Sequence, residues 1–499
     1  MSSDDAALPK LDVSLWPAFV DRLVEFSPAD CREAVLTLKV ESGSFSHWST
    51  YDGEPAPTDF DAPDFFDDAW ELVDPLQDAL GVHQALVVIR AGAAIQDRYG
   101  ARGRVDAFVA PAGVELGLAS HQVSVIPLVP GALPTPFRYV PPPEAYDRPV
   151  SPKADPRLVA ERLWQHVPDA VGASEELISA TEAKLGVSLP EEVRALYRTV
   201  GSGDILIYPP GQGPGEADEN DDESAPLFFL DVVALDDEYQ RSFVSAENKC
   251  LSWQFGAGEV APADPEGRVA PAGWSPAWFV LGGDWGGSYL VADLAPGPNG
   301  YVGQLLWVDR DWNSGAAWVA DSLASALREG NPYQPEPERP VGAIVRVWDR
   351  DPIAAGELGV RDVSDIPAQA EVVHIHFGGT EAGESSHADQ SLAGSVAAAA
   401  SEGIERLADL PGLRTLMWAP AVLAEHPGYV DTLGALRHLE YLEIPLADWR
   451  SLLAAGRVPS SLLAAGVTDS NGLDGIDVVN DLLALYGRQT GELSTTLVP

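Results

Sequence analysis

The glycine-rich stretch LGGDWGGSYLVADLAPGPNGYVGQL, residues 281–305, has the composition of a phosphate-binding loop. A dinucleotide-binding loop needs G-x-G-x-x-G between a strand and a helix, because the pyrophosphate meets the helix N-terminus. Here GGDWGG runs into SYLVADL, whose alternation predicts a strand. A Walker loop needs a lysine that is missing here, and Asp284 would repel an anion. We therefore interpret these glycines as permitting a tight turn between strands and close packing against tryptophans.

Two groups of side chains have types that bind metals. The acids between residues 59 and 68 do not match an EF-hand loop, which needs a glycine at its sixth position and a closing glutamate, and a solvated loop explains them better. His374 and His376 in VVHIHF lie two apart, on one face of a predicted strand, and His387 is a candidate third ligand. A strand with one polar face explains the pair as well. We predict no metal ligand.

No residue pattern in the sequence points to catalysis. Cys250 in ENKCLSW has no histidine partner within sequence reach, and no G-x-S-x-G nucleophile elbow is present. We predict no catalytic or cofactor-binding residue, no cofactor, and a protein that is not an enzyme. An enzyme site in the N-terminal region, built from residues distant in sequence, stays open as an alternative.

The charge is the strongest global signal, with 76 acidic against 31 basic residues and a net charge of −45. This excess argues against binding to nucleic acid or anionic lipid, whose phosphates would be repelled, and it would steer a basic protein partner toward the chain. Solubility alone explains the charge equally well. The acidic start MSSDDAALPKLDVSL, the lack of a long apolar run and two distant cysteines predict a cytoplasmic protein.

Shifts in composition along the chain indicate several domains, and the predicted fold class is α+β. The predicted segments are an uncharacterised α+β domain (1–140), a proline-rich linker (141–156), a central domain (157–330), a second linker (331–342) and a β/α domain (343–490).

The central domain has the clearest element signals. SEELISATEAKLG predicts a helix that begins after a serine and ends at Gly186. LPEEVRALYRTVGSG predicts a second helix, with Pro190 in its first turn and Gly201 in a left-handed conformation after its end. Its apolar face comprises Val193, Leu196, Tyr197 and Val200. WSPAWFVLGGD, GSYLVADL and GQLLWVDR then predict an antiparallel sheet, closed by a helix over AAWVADSLASALREG.

The C-terminal region contains an internal repeat. LADLPGLRTL (407–416) and LGALRHLEYL (433–442) match leucines at four positions with an offset of 26 residues. This period lies within the range of leucine-rich repeats, although their usual asparagine is missing. We predict a leucine-rich-repeat-like segment of alternating strands and helices.

The ordered motifs of the central domain resemble the SUKH superfamily, which includes fungal regulators of cell-wall synthesis and bacterial immunity proteins. The resemblance covers about 160 residues and departs from the family where the usual Asn-Gly-Gly turn reads Gly201-Ser202-Gly203. It implies an α+β fold that binds other proteins without catalysis. The motifs that carry it are Leu185-Gly186, Leu189-Pro190, Tyr197, the turn Gly283-Asp284-Trp285-Gly286-Gly287, and Asp293.

Together, these observations predict a protein that binds another protein. Aromatic residues anchor many interfaces, and Trp285 lies at the tip of a predicted turn beside Asp284. We hypothesise an immunity protein that neutralises a toxin, with a basic nuclease toxin as the partner that the acidic charge suits. The alternative from another class is a scaffold or regulator that links several partners. The predicted partner-binding residues are Asp284, Trp285, Tyr197, Asp221, Asp222 and Glu223.

Overall fold

A computed structural model gives the fold of the protein. It describes residues 7–55, 70–118, 122–207, 228–330, 336–347, 357–360, 362–376, 404–419, 421, 423, 426–470 and 472–499.

The strands of these residues, in chain order, are β1 (Ala34–Glu41), β2 (Ser44–Tyr51), β3 (Glu54–Pro55), β4 (Gln84–Ala91), β5 (Gly103–Ala110), β6 (Ser124–Pro127), β7 (Gly203–Ile207), β8 (Phe228–Val232), β9 (Trp278–Gly283), β10 (Tyr289–Asp293), β11 (Gln304–Val308), β12 (Ala317–Ala320), β13 (Ile344–Val347), β14 (Glu357–Val360), β15 (Val372–His376), β16 (Thr415–Ala419), β17 (Tyr441–Pro445), β18 (Ala464–Thr468) and β19 (Glu492–Val498).

The α-helices of the same residues are α1 (Trp16–Phe26), α2 (Trp70–Leu80), α3 (Ala93–Tyr99), α4 (Pro156–His166), α5 (Glu175–Leu185), α6 (Glu191–Thr199), α7 (Glu238–Ser242), α8 (Ala246–Cys250), α9 (Trp253–Ala257), α10 (Leu323–Glu329), α11 (Gly428–Gly434), α12 (Leu446–Ala455) and α13 (Ile476–Leu485). Within the described ranges, no helix is long and apolar enough to cross a membrane.

The chain forms two compact units. The central unit comprises residues 133–344 and 353–358, and the terminal unit comprises residues 1–132, 345–352 and 359–499. The mixed α+β class predicted from the sequence is confirmed. The terminal unit joins segments that the sequence places in separate domains, 1–140 and 343–490, because strands from both ends of the chain pair with each other.

The central unit is built on a six-stranded antiparallel sheet with the order β12-β11-β10-β9-β8-β7. One face packs against α4, α6 and α10 and buries the side chains of Leu230 and Leu290. The other face buries Val280, Tyr289 and Val291. Alternate residues of each strand point to opposite faces of the sheet, so the same strands contribute side chains to both cores.

Three local predictions for the central unit differ from the structure. The region 317–320, expected as the start of the closing helix, is the edge strand β12, and only residues 323–329 are helical. Gly201 does not take the left-handed conformation. A Cβ there would lie 2.9 Å from the Val171 carbonyl oxygen, so glycine is needed for close backbone approach, while Gly203 has the positive φ of 100°. Pro190 is the N-cap of α6 and precedes its first turn.

The proline-rich segment 141–156 contributes to the core of the central unit. Ala145 is buried, and Tyr146 packs against the same cluster as the sheet residues. Val150 forms a parallel bridge with Val302, and the backbone N–H of Val302 donates to the Pro149 carbonyl at 3.1 Å. The segment predicted as a linker therefore packs as part of this unit, because its apolar side chains find partners distant in sequence.

The terminal unit contains two sheets. One has the order β19-β5-β4-β1-β2-β3, in which the C-terminal strand β19 pairs with β5. The other has the order β14-β13-β15-β16-β17-β18-β6, in which β6 pairs antiparallel with β18. The pairings β19–β5 and β18–β6 each join residues more than 300 positions apart in the sequence. Periodicity within a short window of sequence cannot reveal such pairings.

The predicted repeat forms parallel strands. Leu416 of β16 lies opposite Leu442 of β17, which reproduces the offset of 26 residues in the sequence match. α11 lies between these two strands along the chain, and α12 follows β17. The β/α alternation is therefore present in the fold, while the assignment to the leucine-rich-repeat class stays a prediction.

Candidate protein-binding surface

The glycine stretch forms the turn between β9 and β10. The Asp284 carboxylate accepts hydrogen bonds from the backbone N–H groups of Gly286 at 2.7 Å and Ser288 at 3.0 Å. Arg310 donates to the Gly286 carbonyl at 2.7 Å. These contacts stabilise the turn, so the Asp284 carboxylate serves first to fix its conformation.

Close packing explains Gly282, which precedes this turn. A Cβ at this position would lie 2.2 Å from the Asp231 carbonyl oxygen and 2.7 Å from the Leu230 side chain. Only a residue without a side chain lets β9 approach β8 this closely. Close packing at this glycine is therefore present, but against the Asp231 backbone and the Leu230 side chain and not against a tryptophan as predicted.

We expect Gly282→Ala to destabilise the central unit by about 2 kcal/mol, since the added methyl group forces backbone and side-chain shifts in a packed sheet. Thermal unfolding of the full chain, with hydrogen exchange followed peptide by peptide, measures the effect. Gly428→Ala is the matched control, because a Cβ at Gly428 meets no atom within 4 Å. Equal exchange of β8 and β9 in the two variants would contradict the packing argument.

Trp285 presents its side chain at the tip of the turn. It has a positive φ of 62°, which is unusual for a residue other than glycine, and 70% of its surface is exposed. Its ring packs edge-on against Phe229, with the ring centroids 4.7 Å apart. Its side chain also lies close enough to Asp231 to act against the rise in the pKa of that carboxyl. Trp285 is thus held in one orientation and still open to a partner.

Two carboxylates lie beside this tryptophan on the neighbouring strands. Asp204 of β7 is directly opposite Asp231 of β8. Burial raises the pKa of Asp231, the charge of Asp204 raises it further, and the hydrogen bond from Trp285 lowers it. Among the described residues, no lysine or arginine forms an ion pair with either carboxylate, so this end of the sheet is electronegative.

Exposed aromatic side chains continue this surface onto α7 and the residues after it. Tyr239 is 70% exposed and Phe243 is 40% exposed, and their rings pack edge-on at 4.9 Å. Burial raises the pKa of Tyr289, and the nearby Asp284, Tyr239 and Asp237 raise it further, so α7 and the turn lie near the same hydroxyl. We name the set Trp285, Phe229, Asp204, Asp231, Tyr239 and Phe243 the Trp285 surface.

Tyr197, predicted to contact a partner, is a core residue. Its side chain is fully buried, and its hydroxyl donates to the Val233 carbonyl at 3.1 Å. Arg241 of α7 donates to the Tyr197 hydroxyl at 2.9 Å and to the Val280 carbonyl at 2.7 Å. Tyr197 and Arg241 therefore satisfy backbone carbonyls where β8 and β9 diverge. A buried hydroxyl of this kind offers no area to a partner, which corrects the prediction for this residue.

The remaining predicted sites lie partly outside the described residues. Asp221, Asp222 and Glu223, between β7 and β8, lie outside the described residues. The same is true of His387, between β15 and β16. His374 is partly exposed on β15. Among the residues that the structure does describe, no three His, Cys, Asp or Glu side chains come together as metal ligands.

Sequence reasoning missed five residues of the Trp285 surface. Alternation in LFFLD was sufficient to place Phe229 and Asp231 on one face of a strand. The pairing of Asp231 with Asp204 could not be predicted from the sequence, because a long acidic insert separates the two strands. Tyr239 and Phe243 are one helical turn apart, a spacing that was available but gave no sign of exposure.

Comparison with known proteins identifies the central domain. Residues 172–329 match the model of the SMI1 / KNR4 family (SUKH-1), which confirms the resemblance predicted from the sequence motifs. A protein of Neurospora crassa named "Glucan synthesis regulatory protein" is 32% identical over 114 residues. The aligned segment covers 20% of this chain and 21% of that relative, so the likeness concerns about a fifth of either protein.

Proposed function

We propose that this chain is a non-catalytic binding protein of the cytoplasm that acts as an immunity protein, neutralising a toxin by covering its active surface with the Trp285 surface. The observation that carries this proposal is an exposed tryptophan held rigidly among carboxylates on a domain of the SMI1 / KNR4 family. A rigid aromatic anchor loses little conformational entropy on binding, and anchors of this type dominate the energy of many interfaces.

Charge supports a basic partner. The chain has a net charge of −45, and Asp204 and Asp231 add local negative potential beside the anchor. An acidic inhibitor can occupy a groove that normally receives nucleic acid, and complementary charges speed the encounter. A basic nuclease toxin fits this chemistry.

Affinity capture of the tagged full chain from lysate of its own source, at low and moderate salt, tests this function. We expect one stoichiometric basic protein whose binding weakens as salt rises and which is toxic when expressed without this chain. Several unrelated partners held weakly, or a single partner that is harmless when expressed alone, would contradict the immunity proposal.

A regulatory role is the second candidate, and one observation favours it. The Neurospora crassa relative is named "Glucan synthesis regulatory protein". A regulator or scaffold would bind several partners through separate surfaces. Capture by the isolated Trp285→Ala variant separates the two functions, because a scaffold retains most of its partners and an immunity protein loses its one target.

A further inference from the structure

We propose that the Trp285 surface binds an arginine side chain of the partner, with the guanidinium between the carboxylates of Asp204 and Asp231 and its plane on the indole of Trp285. This inference rests on the proposed function and names the chemistry that the surface recognises.

The facing carboxylates of Asp204 and Asp231 are the first reason to expect a bound cation. Asp204 and Asp231 lie directly opposite each other on two antiparallel strands, where like charges destabilise a sheet. No described lysine or arginine forms an ion pair with them, so among the described side chains the contact of Trp285 with Asp231 offsets the repulsion only in part. A cation from a partner would offset it.

The insert between β7 and β8 offers no basic side chain for this position. The insert of residues 208–227 leaves β7 at Ile207 and enters β8 at Phe228, and these two residues are paired. Its sequence contains six acids and no lysine or arginine, so it supplies no cation for the two carboxylates. A basic segment of another protein is the complementary occupant, while nucleic acid or an anionic lipid would be repelled.

The aromatic pair selects arginine over lysine. The guanidinium is planar, donates two parallel hydrogen bonds to carboxylates and stacks on aromatic faces. Trp285 packs against Phe229 and is 70% exposed, so an aromatic surface lies beside the two carboxylates. Tryptophan is the side chain with the strongest attraction for a cation over its ring. A lysine would satisfy the charge without the stacking.

The test uses the full chain labelled with fluorotryptophan, in which the Trp285 resonance is assigned from the Trp285→Phe variant. The probe is a capped Gly-Arg-Gly-Arg-Gly peptide, and the matched control replaces both arginines by citrulline, which keeps the shape and removes the charge. We expect the arginine peptide to shift the Trp285 resonance and the citrulline peptide to leave it in place. The Asp204→Asn/Asp231→Asn double variant should weaken binding about tenfold or more.

Stability provides a second readout that needs no ligand. Asp204→Asn removes one of two facing charges, so we expect it to raise the unfolding midpoint of the central unit relative to Asp169→Asn, an exposed acid of the same unit. An equal midpoint, a citrulline peptide that shifts Trp285 as much as the arginine peptide, or a double variant that binds unchanged would overturn the proposal.

These results separate the inference from the proposed function. If Trp285→Ala abolishes capture of a protein partner while the arginine peptide does not bind, the arginine subsite is wrong and protein binding stands. If the arginine peptide binds as expected while lysate yields no toxic partner, the subsite stands and the immunity function is wrong.

Discussion

Trp285→Ala weakens the complex with the captured partner about 100-fold, because aromatic anchors at the centre of an interface contribute about 2 kcal/mol or more each. The loss follows from removing an exposed ring that packs against Phe229 and lies beside Asp231. Titration calorimetry of the purified pair measures the change.

Trp164→Ala is the matched control for this loss. Trp164 is 64% exposed on α4, a helix that packs against the opposite face of the sheet. We expect this variant to bind as tightly as the parent chain. Equal affinities for the Trp164 and Trp285 variants, with both folded by thermal unfolding, would show that the Trp285 surface is not the interface.

The buried carboxyl of Asp293 contributes strongly to the pH dependence of the central unit. Asp293 ends β10 with no exposed surface, and burial raises its pKa from 3.8 to about 7 against smaller opposing effects from Gln304, Ala295 and Arg148. The folded state therefore holds a proton that the unfolded state has released between these two values. This stabilisation is complete below pH 3.8 and is lost as the pH rises through 7. We expect a loss of about 3 kcal/mol between about pH 5 and about pH 8.

Asp293→Asn should remove this dependence, since the amide keeps an acceptor for the Ala295 N–H and carries no charge. Hydrogen exchange of the β10 and β11 peptides at the two pH values measures it. The control is Glu443→Gln in the terminal unit, where burial raises the pKa of the carboxyl from 4.5 to about 7. This control should remove the pH dependence of hydrogen exchange in the β17 peptides and leave that of the β10 peptides unchanged. A parent-like pH response in Asp293→Asn would contradict the assignment.

Local signals predicted the elements that carry the Trp285 surface. Ser174 and Gly186 bound α5 as expected, since a serine cap and a left-handed glycine act within one turn of the chain. The glycine stretch was interpreted as a turn between strands because alternation in SYLVADL excludes a helix there. The structure has β9 and β10 on its two sides.

Long-range pairing accounts for what the sequence did not show. The negative potential at Asp231 arises from Asp204 beyond the insert of residues 208–227, and the indole beside it comes from the turn between β9 and β10. Tyr197 belongs to an apolar helical face, which is compatible with either a core or an interface, and only its contact with Val233 decides between them. The two ends of the chain meet in the terminal unit because β19 pairs with β5, and no local sequence pattern indicates that pairing.

Photo-crosslinking from position 285 tests the central claim most directly. The full chain carrying benzoylphenylalanine at position 285, and separately at position 164, is irradiated in lysate of its source, and crosslinked proteins are identified by mass spectrometry. We predict one basic protein crosslinked from position 285 and absent from position 164, with the attachment point beside an arginine. The same proteins from both positions, or a crosslink to acidic proteins alone, would contradict binding of a basic partner at the Trp285 surface.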